Sequence, residues 1–385
     1  MEKRNRRGRA ESLTGKIFIL VLFLVMVINF VTPVNEMSEE ENRVLASKPE
    51  LSLSSIISGD YMEAFESYMS DQFFGRNVWR SVKVTLSRLG GSHMENGVYI
   101  GKKGQLFEEV EVPDKEQLKE NLTAVKNYSE AYPRVDVTML LVPDSACVLS
   151  DRLPMLSTVP DQKQMINMVK NELGDSVIWV DTASVLEKHK EEKIYYKTDH
   201  HWTSLGAFYT FKDAAASVMG IEEDVSDKFV SYAVTDQFNG VLASKSGVGL
   251  GEKEDIHIYV PKSGDNDLIV DYVDEGKRRT SLFDSSMLNT RDKYAVFLGG
   301  NKSLIDIKTV STSKKRLLVI KDSYANSFIQ FLTPYYREIV IVDPRYYSGT
   351  IQEIMDSYRI TDTLFLYSGN TFFTDNSISG VFSFE

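Results

Sequence analysis

Short apolar runs that alternate with segments of helical periodicity are the feature of this sequence that most restricts its fold. Five such runs, rich in Val, Leu and Ile, predict buried strands at residues 135–142, 177–180, 316–320, 338–342 and 363–367. Helical periodicity between and beside them predicts helices at residues 161–173, 203–219, 325–332 and 350–359. Because short apolar strands that alternate with helices are typical of sheets covered on both faces, the pattern predicts an α/β domain with a mostly parallel sheet.

This α/β domain is predicted to occupy residues 116–385, with one interruption. Residues 221–315 are irregular and rich in Gly and Asp, with short strand candidates at 256–260 and 268–273, so we interpret them as an insertion. Residues 36–115 are predicted to form a polar stalk, a helix near residues 61–69 and a hairpin at residues 97–107.

An uncharged, strongly apolar stretch at residues 17–35 precedes the stalk. At about 1.5 Å per residue it spans roughly 28 Å, close to the ~30 Å hydrocarbon core of a bilayer. Residues 1–16 form a basic tail with a net charge of +4, and acidic residues follow the stretch. The positive-inside rule therefore predicts a single-pass anchor in the plasma membrane, with a cytoplasmic N-terminus and an extracellular C-terminal domain.

Two other interpretations of the apolar stretch remain open. A cleaved signal peptide would look similar, although residues 30–35 offer no clear small-x-small cleavage site. A buried core helix would not explain why six basic residues are concentrated before it.

Composition excludes some classes of function. Residues 17–385 carry a net charge of −15, and nucleic-acid affinity depends largely on Lys and Arg, so nucleic acid is disfavoured as a partner. The single cysteine, Cys147, excludes an internal disulfide framework. An extracytoplasmic chain with one cysteine suits a bacterial cell surface that does not rely on disulfides.

Two polar segments carry residues suited to nucleophilic catalysis. Ser323 follows the strand at 316–320 and precedes a helix, and a serine at such a turn has the geometry of an exposed nucleophile. Asp199 and His201 stand just before the helix at 203–219, where they can supply a general base and the carboxylate that orients it. The pattern predicts a triad of Ser323, His201 and Asp199.

Two more polar residues follow predicted strands, so they are candidates for the same sheet edge. Asn370 can offer its side-chain amide to an oxyanion, and Arg345 can bind substrate. For each of them a purely structural role is equally open. Trp202, next to the predicted base, is expected to pack in the core rather than to stack on substrate.

Plainer roles compete with the catalytic ones. A lone His201 would by default be an interior histidine bonded to backbone, and the alternative role of Ser323 is to cap the following helix. His200 is expected to be structural or to face outward. Asp199, His200 and His201 are ordinary zinc ligands, but adjacent residues rarely converge on one ion. We therefore predict no metal and no cofactor.

The tetrapeptide Asp199-His200-His201-Trp202 resembles the motif that gives the bacterial DHHW family its name. The surrounding YYKTDHHWTSLGAF and LLVIKDSYANSF resemble two signature blocks of that family. Its other typical segments resemble ENRVLASKPE, DQFFGR, DQFNGVLASKS and VDPRYY. The resemblance covers about residues 40–370.

The DHHW family is similar to the SGNH-hydrolase-like proteins of alginate O-acetylation. That similarity implies a three-layer α/β domain in permuted order, with the Asp-x-His block before the serine block. It also implies that Asp199, His201 and Ser323 are the triad Asp, His and nucleophile. One departure is Lys321, which stands where those hydrolases usually have Gly, so that it can crowd or polarise the site.

The leading hypothesis is a membrane-anchored extracytoplasmic O-acetyltransferase that acts on a surface polysaccharide or cell-wall glycopolymer. The resemblance implies a multi-pass membrane acyltransferase as the partner that supplies acetyl groups. Two alternatives remain: a carbohydrate esterase that uses the same triad with water as acceptor, and a catalytically silent glycan-binding or scaffold protein, which the Lys321 departure motivates.

Overall fold

The computed structural model describes residues 2–38, 40, 43–262 and 267–383. The chain divides into two compact units, with the boundary between Ser92 and His93. Residue 116 is the predicted start of the α/β domain, but the hairpin before it belongs to the second unit. The reason is packing, because Val98 and Leu106 of that hairpin form a buried cluster with Leu242 and Ala243.

The first unit is mainly helical. Its helices are α1 Glu2–Val31, α2 Leu53–Ser58, α3 Asp60–Asp71 and α4 Arg76–Leu89, and its two short antiparallel strands are β1 Met37–Ser38 and β2 Arg43–Val44. Helix α3 confirms the helix predicted near residues 61–69. Glu39 and Glu41 of the predicted stalk lie outside the described residues.

Helix α1 contains one segment, Leu13–Val31, that is long and apolar enough to cross a membrane. The helix ends at Val31, so residues 32–35 of the predicted span 17–35 lie beyond it. Pro33 accounts for this end, because a proline ring disfavours the helical conformation of the residue before it. The hydroxyl of that residue, Thr32, donates to the carbonyl of Ile28 at 2.8 Å and satisfies an acceptor at the helix end.

The second unit is built on an eight-stranded sheet, whose strands are given below in the order in which they lie side by side. Five neighbouring strands are parallel: β14 Glu338–Val342, β13 Arg316–Lys321, β15 Asp362–Ser368, β6 Asp136–Val142 and β7 Ile178–Trp179. Three antiparallel strands extend one side: β12 Leu304–Thr309, β10 Leu268–Tyr272 and β11 Lys277–Arg279. The five predicted strands are confirmed within a few residues.

Both faces of this sheet are buried. Along β6, Leu140 and Val142 join one apolar cluster, whereas Met139 and Leu141 join another. Successive side chains of a strand point to opposite faces, so these two clusters are the two sides of the sheet. The mixed α/β architecture with a large, mostly parallel sheet is thus confirmed.

Helices and smaller strands complete the second unit. The helices are α5 Lys115–Ala131, α6 Ser145–Val148, α7 Gln162–Leu173, α8 Thr182–Lys188, α9 Ser204–Thr210, α10 Ala216–Val218, α11 Val241–Ser246, α12 Ile351–Ser357, α13 Gly369–Thr374 and α14 Ile378–Val381. A π-helical turn, Phe211–Ala215, joins α9 to α10. A small sheet contains β3 Met94–Glu95, β4 Val98–Ile100 and β5 Leu106–Glu108, and a long hairpin contains β8 Phe229–Phe238 and β9 Glu254–Pro261.

Two segments differ from their predictions. Residues 221–315 supply the β8–β9 hairpin and three strands of the main sheet, so much of this segment is regular structure. Strand β12 escaped prediction because Asp306 and Lys308 interrupt its apolar pattern; they pair with each other at 3.0 Å. The helix predicted at 325–332 consists of two 3-10 helices, Ser323–Ser327 and Ile329–Phe331.

Candidate active site

Three buried aspartates mark the carboxyl edge of the parallel strands. Asp144, Asp322 and Asp343 each follow the end of a strand by one or two residues, after β6, β13 and β14 respectively. In open α/β sheets the crevice at this edge is where ligands bind. Catalytic residues are therefore expected at this edge of the sheet.

Asp322 fixes the turn that carries Ser323. One of its carboxylate oxygens accepts the Tyr324 N–H at 2.9 Å and so caps the 3-10 helix that Ser323 begins. The other oxygen accepts from the backbone N–H and the hydroxyl of Ser368, at 3.0 and 2.8 Å. Because Ser368 ends β15, the turn is tied to two neighbouring strands.

A tight loop before α9 carries Asp199 and His201. Tyr195 pairs with Trp202 across the loop, and the Tyr196 N–H donates to the His201 carbonyl at 3.2 Å. The Glu254 carboxylate accepts from the N–H of Lys197 at 2.8 Å and from the N–H and hydroxyl of Thr198. These contacts hold the loop in one conformation.

Residues after β8 hold the Asp199 carboxylate. The Val241 N–H donates to its Oδ2 at 2.9 Å, and the Gly240 N–H donates to the Thr198 hydroxyl at 2.9 Å. A Cβ atom at residue 240 would lie 2.3 Å from the Cβ of Asp199, so only glycine fits there. The segment DQFNGVLASKS contains this glycine, and its resemblance to the family does not by itself indicate the role.

The structure brings the three predicted triad residues together. His201 Nδ1 lies 2.6 Å from Asp199 Oδ1, and His201 Nε2 lies 2.7 Å from Ser323 Oγ. Asp199 and His201 are buried, whereas Ser323 is partly exposed. This is the geometry of a hydroxyl, a base that can remove its proton, and a carboxylate that orients the base.

Electrostatics favour a neutral His201 beside an ionised Asp199. Burial alone would raise the pKa of Asp199, but the imidazoles of His201 and His200 outweigh it and hold that pKa below 3.8. Burial, reinforced by His200, lowers the pKa of His201 below its ordinary 6.5 despite the neighbouring carboxylate. A neutral imidazole is the form that can accept the Ser323 proton.

Tyr294 is a member of the site that the sequence analysis missed. Its ring stacks on the His201 ring, with centroids 3.8 Å apart and planes 12° apart. Its hydroxyl donates to Ser327 Oγ at 3.1 Å and lies 3.3 Å from the carbonyl of Ser323. Tyr294 therefore contacts both the base and the nucleophile turn; no local motif marks it, because it lies in the segment interpreted as an insertion.

His200 and Trp202 flank the base in different roles. Trp202 is fully buried, stacks on Phe328 and donates to the Tyr324 carbonyl at 2.9 Å, so it packs as expected. The Nδ1 atom of His200 lies 3.9 Å from Asp199 Oδ1 and has no hydrogen-bond partner among the described residues. Burial would lower the pKa of His200, but Asp199 and other carboxylates raise it overall.

Asp199, His200 and His201 place potential ligand atoms within 4.8 Å of one another. Both ring nitrogens of His201 are nevertheless engaged, one with Asp199 and one with Ser323. A metal ion coordinated by His201 would have to displace one of these partners, so the arrangement suits proton transfer better than metal binding.

Lys321 does not project freely into the site. Its side chain is fully buried, and its ammonium donates to the Oδ1 atoms of Asn301 and Asn326, both at 2.9 Å. It also lies 3.4 Å from the Asp343 carboxylate. Lys321 therefore forms a buried ion pair with Asp343 and does not crowd the pocket as the sequence suggested.

Arg345 is bound to that same carboxylate. Its Nε and one terminal nitrogen donate to the two oxygens of Asp343 at 2.9 and 2.7 Å. Two of its donors are therefore engaged within the protein. The contacts favour the structural role that the sequence analysis left open, over substrate binding.

The contacts of Asn370 favour its structural role over the oxyanion role. Its buried side chain donates to the Glu109 carbonyl at 2.7 Å and accepts the Glu111 N–H at 3.0 Å. Its own N–H donates to Asp144 Oδ2 at 2.9 Å. Asn370 therefore joins the segment after β5 to the sheet edge, because two backbone groups there need partners.

Replacing His200 with glutamine is expected to shift the acid limb of activity to higher pH. Positive charge on His200 lowers the pKa of His201, so its loss raises that pKa and protonates the base at a higher pH. Hydrolysis of p-nitrophenyl acetate from about pH 4.5 to about pH 8 measures the limb.

His189→Gln is the matched control, because that imidazole bonds Glu192 and Asp213 outside this site. An acid limb that stays in place, or that moves to lower pH, in His200→Gln would contradict the expected coupling between the two histidines.

Comparisons with known proteins identify a family and similar solved structures. The family model for DHHW proteins matches residues 136–342. A DHHW family protein from Eubacterium siraeum, in a crystal structure at 1.49 Å resolution, is 23% identical with a TM-score of 0.64, and the match covers 74% of this chain and 95% of that one. PatB1 of Bacillus cereus, solved with a sulfonyl adduct, is 18% identical with a TM-score of 0.61, and the match covers 75% and 99%.

The O-acetyltransferase domain of Pseudomonas putida AlgJ is more distant, at 14% identity and a TM-score of 0.46, with 74% of this chain and 95% of that domain covered. No curated protein matches the sequence. The first two structures share the fold with this protein. Because the family model covers more than half of the sequence and includes the Asp199-His200-His201-Trp202 motif, this chain belongs to the DHHW family.

Proposed function

We propose that this protein is a membrane-anchored extracytoplasmic O-acetyltransferase that acts on a surface polysaccharide or a cell-wall glycopolymer. The observation that carries the proposal is the hydrogen-bonded chain from Asp199 through His201 to the partly exposed Ser323 hydroxyl. The resemblance of the DHHW family to the alginate O-acetylation proteins supports acetyl as the transferred group. It also supports a three-layer SGNH-like domain in permuted order.

The first step places the acetyl group on the protein. Ser323 Oγ attacks the acetyl carbonyl carbon of the donor while His201 Nε2 takes the hydroxyl proton. The ionised Asp199 accepts from His201 Nδ1–H and stabilises the imidazolium. When the tetrahedral intermediate collapses, the bond to the donor's leaving group breaks, and His201 returns the proton to that group.

The second step moves the acetyl group to the glycan. A sugar hydroxyl gives its proton to the neutral His201 and attacks the acetyl-serine carbonyl. The bond to Ser323 Oγ then breaks, and His201 returns the proton to that oxygen. The overall reaction is balanced without a cofactor, because it exchanges the donor ester for a glycan ester.

The donor and the membrane location follow from the same proposal. Extracytoplasmic space lacks acetyl-CoA, so a multi-pass membrane acyltransferase is proposed to pass acetyl groups outward. Helix α1 is proposed as the anchor, since Leu13–Val31 can span a bilayer and basic residues precede it.

An assay in which water and a glycopolymer are both available as acetyl acceptors tests the proposal. Full-length protein in detergent receives p-nitrophenyl acetate as donor and alkali-treated surface glycopolymer, stripped of its esters, as acceptor. We expect ester-linked acetyl to accumulate on the polymer with wild-type protein and not with Ser323→Ala. Acetate release with no polymer-bound acetyl would instead identify an esterase, and neither product would favour a silent binding protein.

Protease added to intact cells tests the topology. If α1 spans the membrane with its N-terminus inside, the second unit should be degraded while an N-terminal tag on the same protein survives. Cells lysed before digestion provide the control, in which both ends are lost. A C-terminal unit that is protected until lysis would refute the extracytoplasmic location and the surface-glycan substrate.

A further inference from the structure

A cavity of about 300 Å³ lies beside the β8–β9 hairpin and the first turn of α9. Its lining includes Tyr195, Tyr196, Ser231, Asp255, His257 and Tyr259. None of these residues belongs to the triad. The volume is at the lower end of the range for small-molecule sites, which is enough for one or two small rings.

Tyr196, one of the lining residues, also packs into the interior of the protein. Tyr196 is 1% exposed, and its hydroxyl has no hydrogen-bond partner among the residues that the structure describes.

Other polar groups of the cavity are already held in place. Ser231 Oγ and His257 Nδ1 share a hydrogen bond of 2.9 Å between the two strands of the hairpin. The Ser204 hydroxyl donates to the His257 carbonyl at 2.6 Å, and the Tyr259 N–H donates to Gln330 Oε1 at 2.6 Å. The wall is therefore pre-organised and loses little freedom when a ligand binds.

The charges around the cavity favour a neutral guest. The Glu254 carboxylate is engaged by Lys197 and Thr198, which leaves Lys193 and Asp255, of opposite sign, as the exposed charged side chains. An anionic guest would need several cations or a bidentate arginine. Tyrosine rings beside hydroxyl and imidazole groups suit a ring that has an apolar face and hydroxyls at its rim.

We infer that this cavity is a subsite for a neutral sugar residue of the acceptor glycan, an inference that rests on the proposed function. The wall and the triad share one loop. Tyr196 is hydrogen-bonded through its N–H to the His201 carbonyl, and its ring meets the Tyr294 ring edge-on, with centroids 6.3 Å apart. A sugar bound there is held on the loop that carries the base.

A cavity-filling variant tests the inference in full-length protein in detergent. Ser231→Trp places a bulky ring in the cavity, and Tyr232→Trp is the matched control, since Tyr232 is exposed and does not line the cavity. The probe is the alkali-treated surface glycopolymer, measured by binding and by the KM for its acetylation. Ser231→Trp should weaken both at least about tenfold, whereas Tyr232→Trp should leave both unchanged.

Labelling of Ser323 by phenylmethylsulfonyl fluoride reports whether the triad survives each change. If Ser231→Trp loses this labelling, Asp255→Ala is used as the test variant in its place. The exposed Asp255 side chain can be removed without unfolding the protein. We expect Asp255→Ala to raise the KM for the glycopolymer about threefold or more. The subsite would be overturned if Asp255→Ala binds the glycopolymer and acetylates it with the wild-type KM. Ser231→Trp must show the same wild-type values if its Ser323 is still labelled. Binding that depends on Ser231 without any acetyl transfer would support the subsite and refute the transferase.

Discussion

Ser323→Ala is expected to lower glycan acetylation by about 10³-fold or more while fold and membrane location stay intact. The variant removes the oxygen that would carry the acetyl group, whereas a hydroxyl at a strand–helix turn contributes only about 1 kcal/mol to stability. His201→Ala should cost nearly as much, because the groups act as a unit. Asp199→Asn should keep some activity, since it misorients the base without removing it.

Mild alkali releases ester-linked acetyl from the glycopolymers of cells that carry each variant, and the released acetate gives the measurement. His200→Ala is the control and should lower acetylation less than His201→Ala. Of these two imidazoles, it is His201 that is hydrogen-bonded through Nε2 to Ser323. Normal acetylation in Ser323→Ala cells, or greater damage from His200→Ala, would contradict the mechanism. Activity lost to a chelator and restored by zinc would favour the metal alternative.

Asp343→Asn is expected to lower the free energy of unfolding by about 3–5 kcal/mol, because the change removes the carboxylate shared by two cations. Lys321 is fully buried, and Arg345 donates two hydrogen bonds to Asp343. Burial already lowers the pKa of Lys321, which shows the cost of its charge in this environment. Urea titration followed by tryptophan fluorescence measures the change.

Asp271→Asn is the matched control for this prediction. Asp271 pairs with Arg278 at 2.8 Å, but that arginine side chain is 74% exposed. Exposed pairs contribute about 1 kcal/mol or less, so this variant should be nearly as stable as wild type. If the free energy of unfolding falls as little in Asp343→Asn as in Asp271→Asn, the buried network is not important for stability.

Much of the sheet could be predicted because burial on both faces leaves continuous apolar runs in the sequence. Strands β13, β14 and β15 are three such runs, and all lie where the pattern placed them. Strand β12 could not be predicted in this way, because its interrupting charges, Asp306 and Lys308, compensate each other only once the strand has formed.

The candidate triad was accessible to sequence reasoning for a topological reason. Parallel strands bring their carboxyl ends to one edge, so a serine after β13 was a candidate for that edge. The Asp-x-His spacing marked Asp199 and His201 as a possible pair. Asn370 and Arg345 satisfied the same rule, yet the structure engages Asn370 with the segment after β5 and Arg345 with Asp343. Position at the edge does not say which partner a side chain finds.

The sequence by itself determined the apolar membrane-length segment, the apolar runs that form the strands and the residues that end them, because each depends on neighbours along the chain. The alternation of those runs with helices also indicated a mostly parallel sheet. Tertiary structure decided the contact of His201 with Ser323, which are 122 residues apart, the ring of Tyr294 on the base and the ion pairs around Asp343. These contacts join distant segments, and their strength depends on burial and distance, which arise only when the chain has folded.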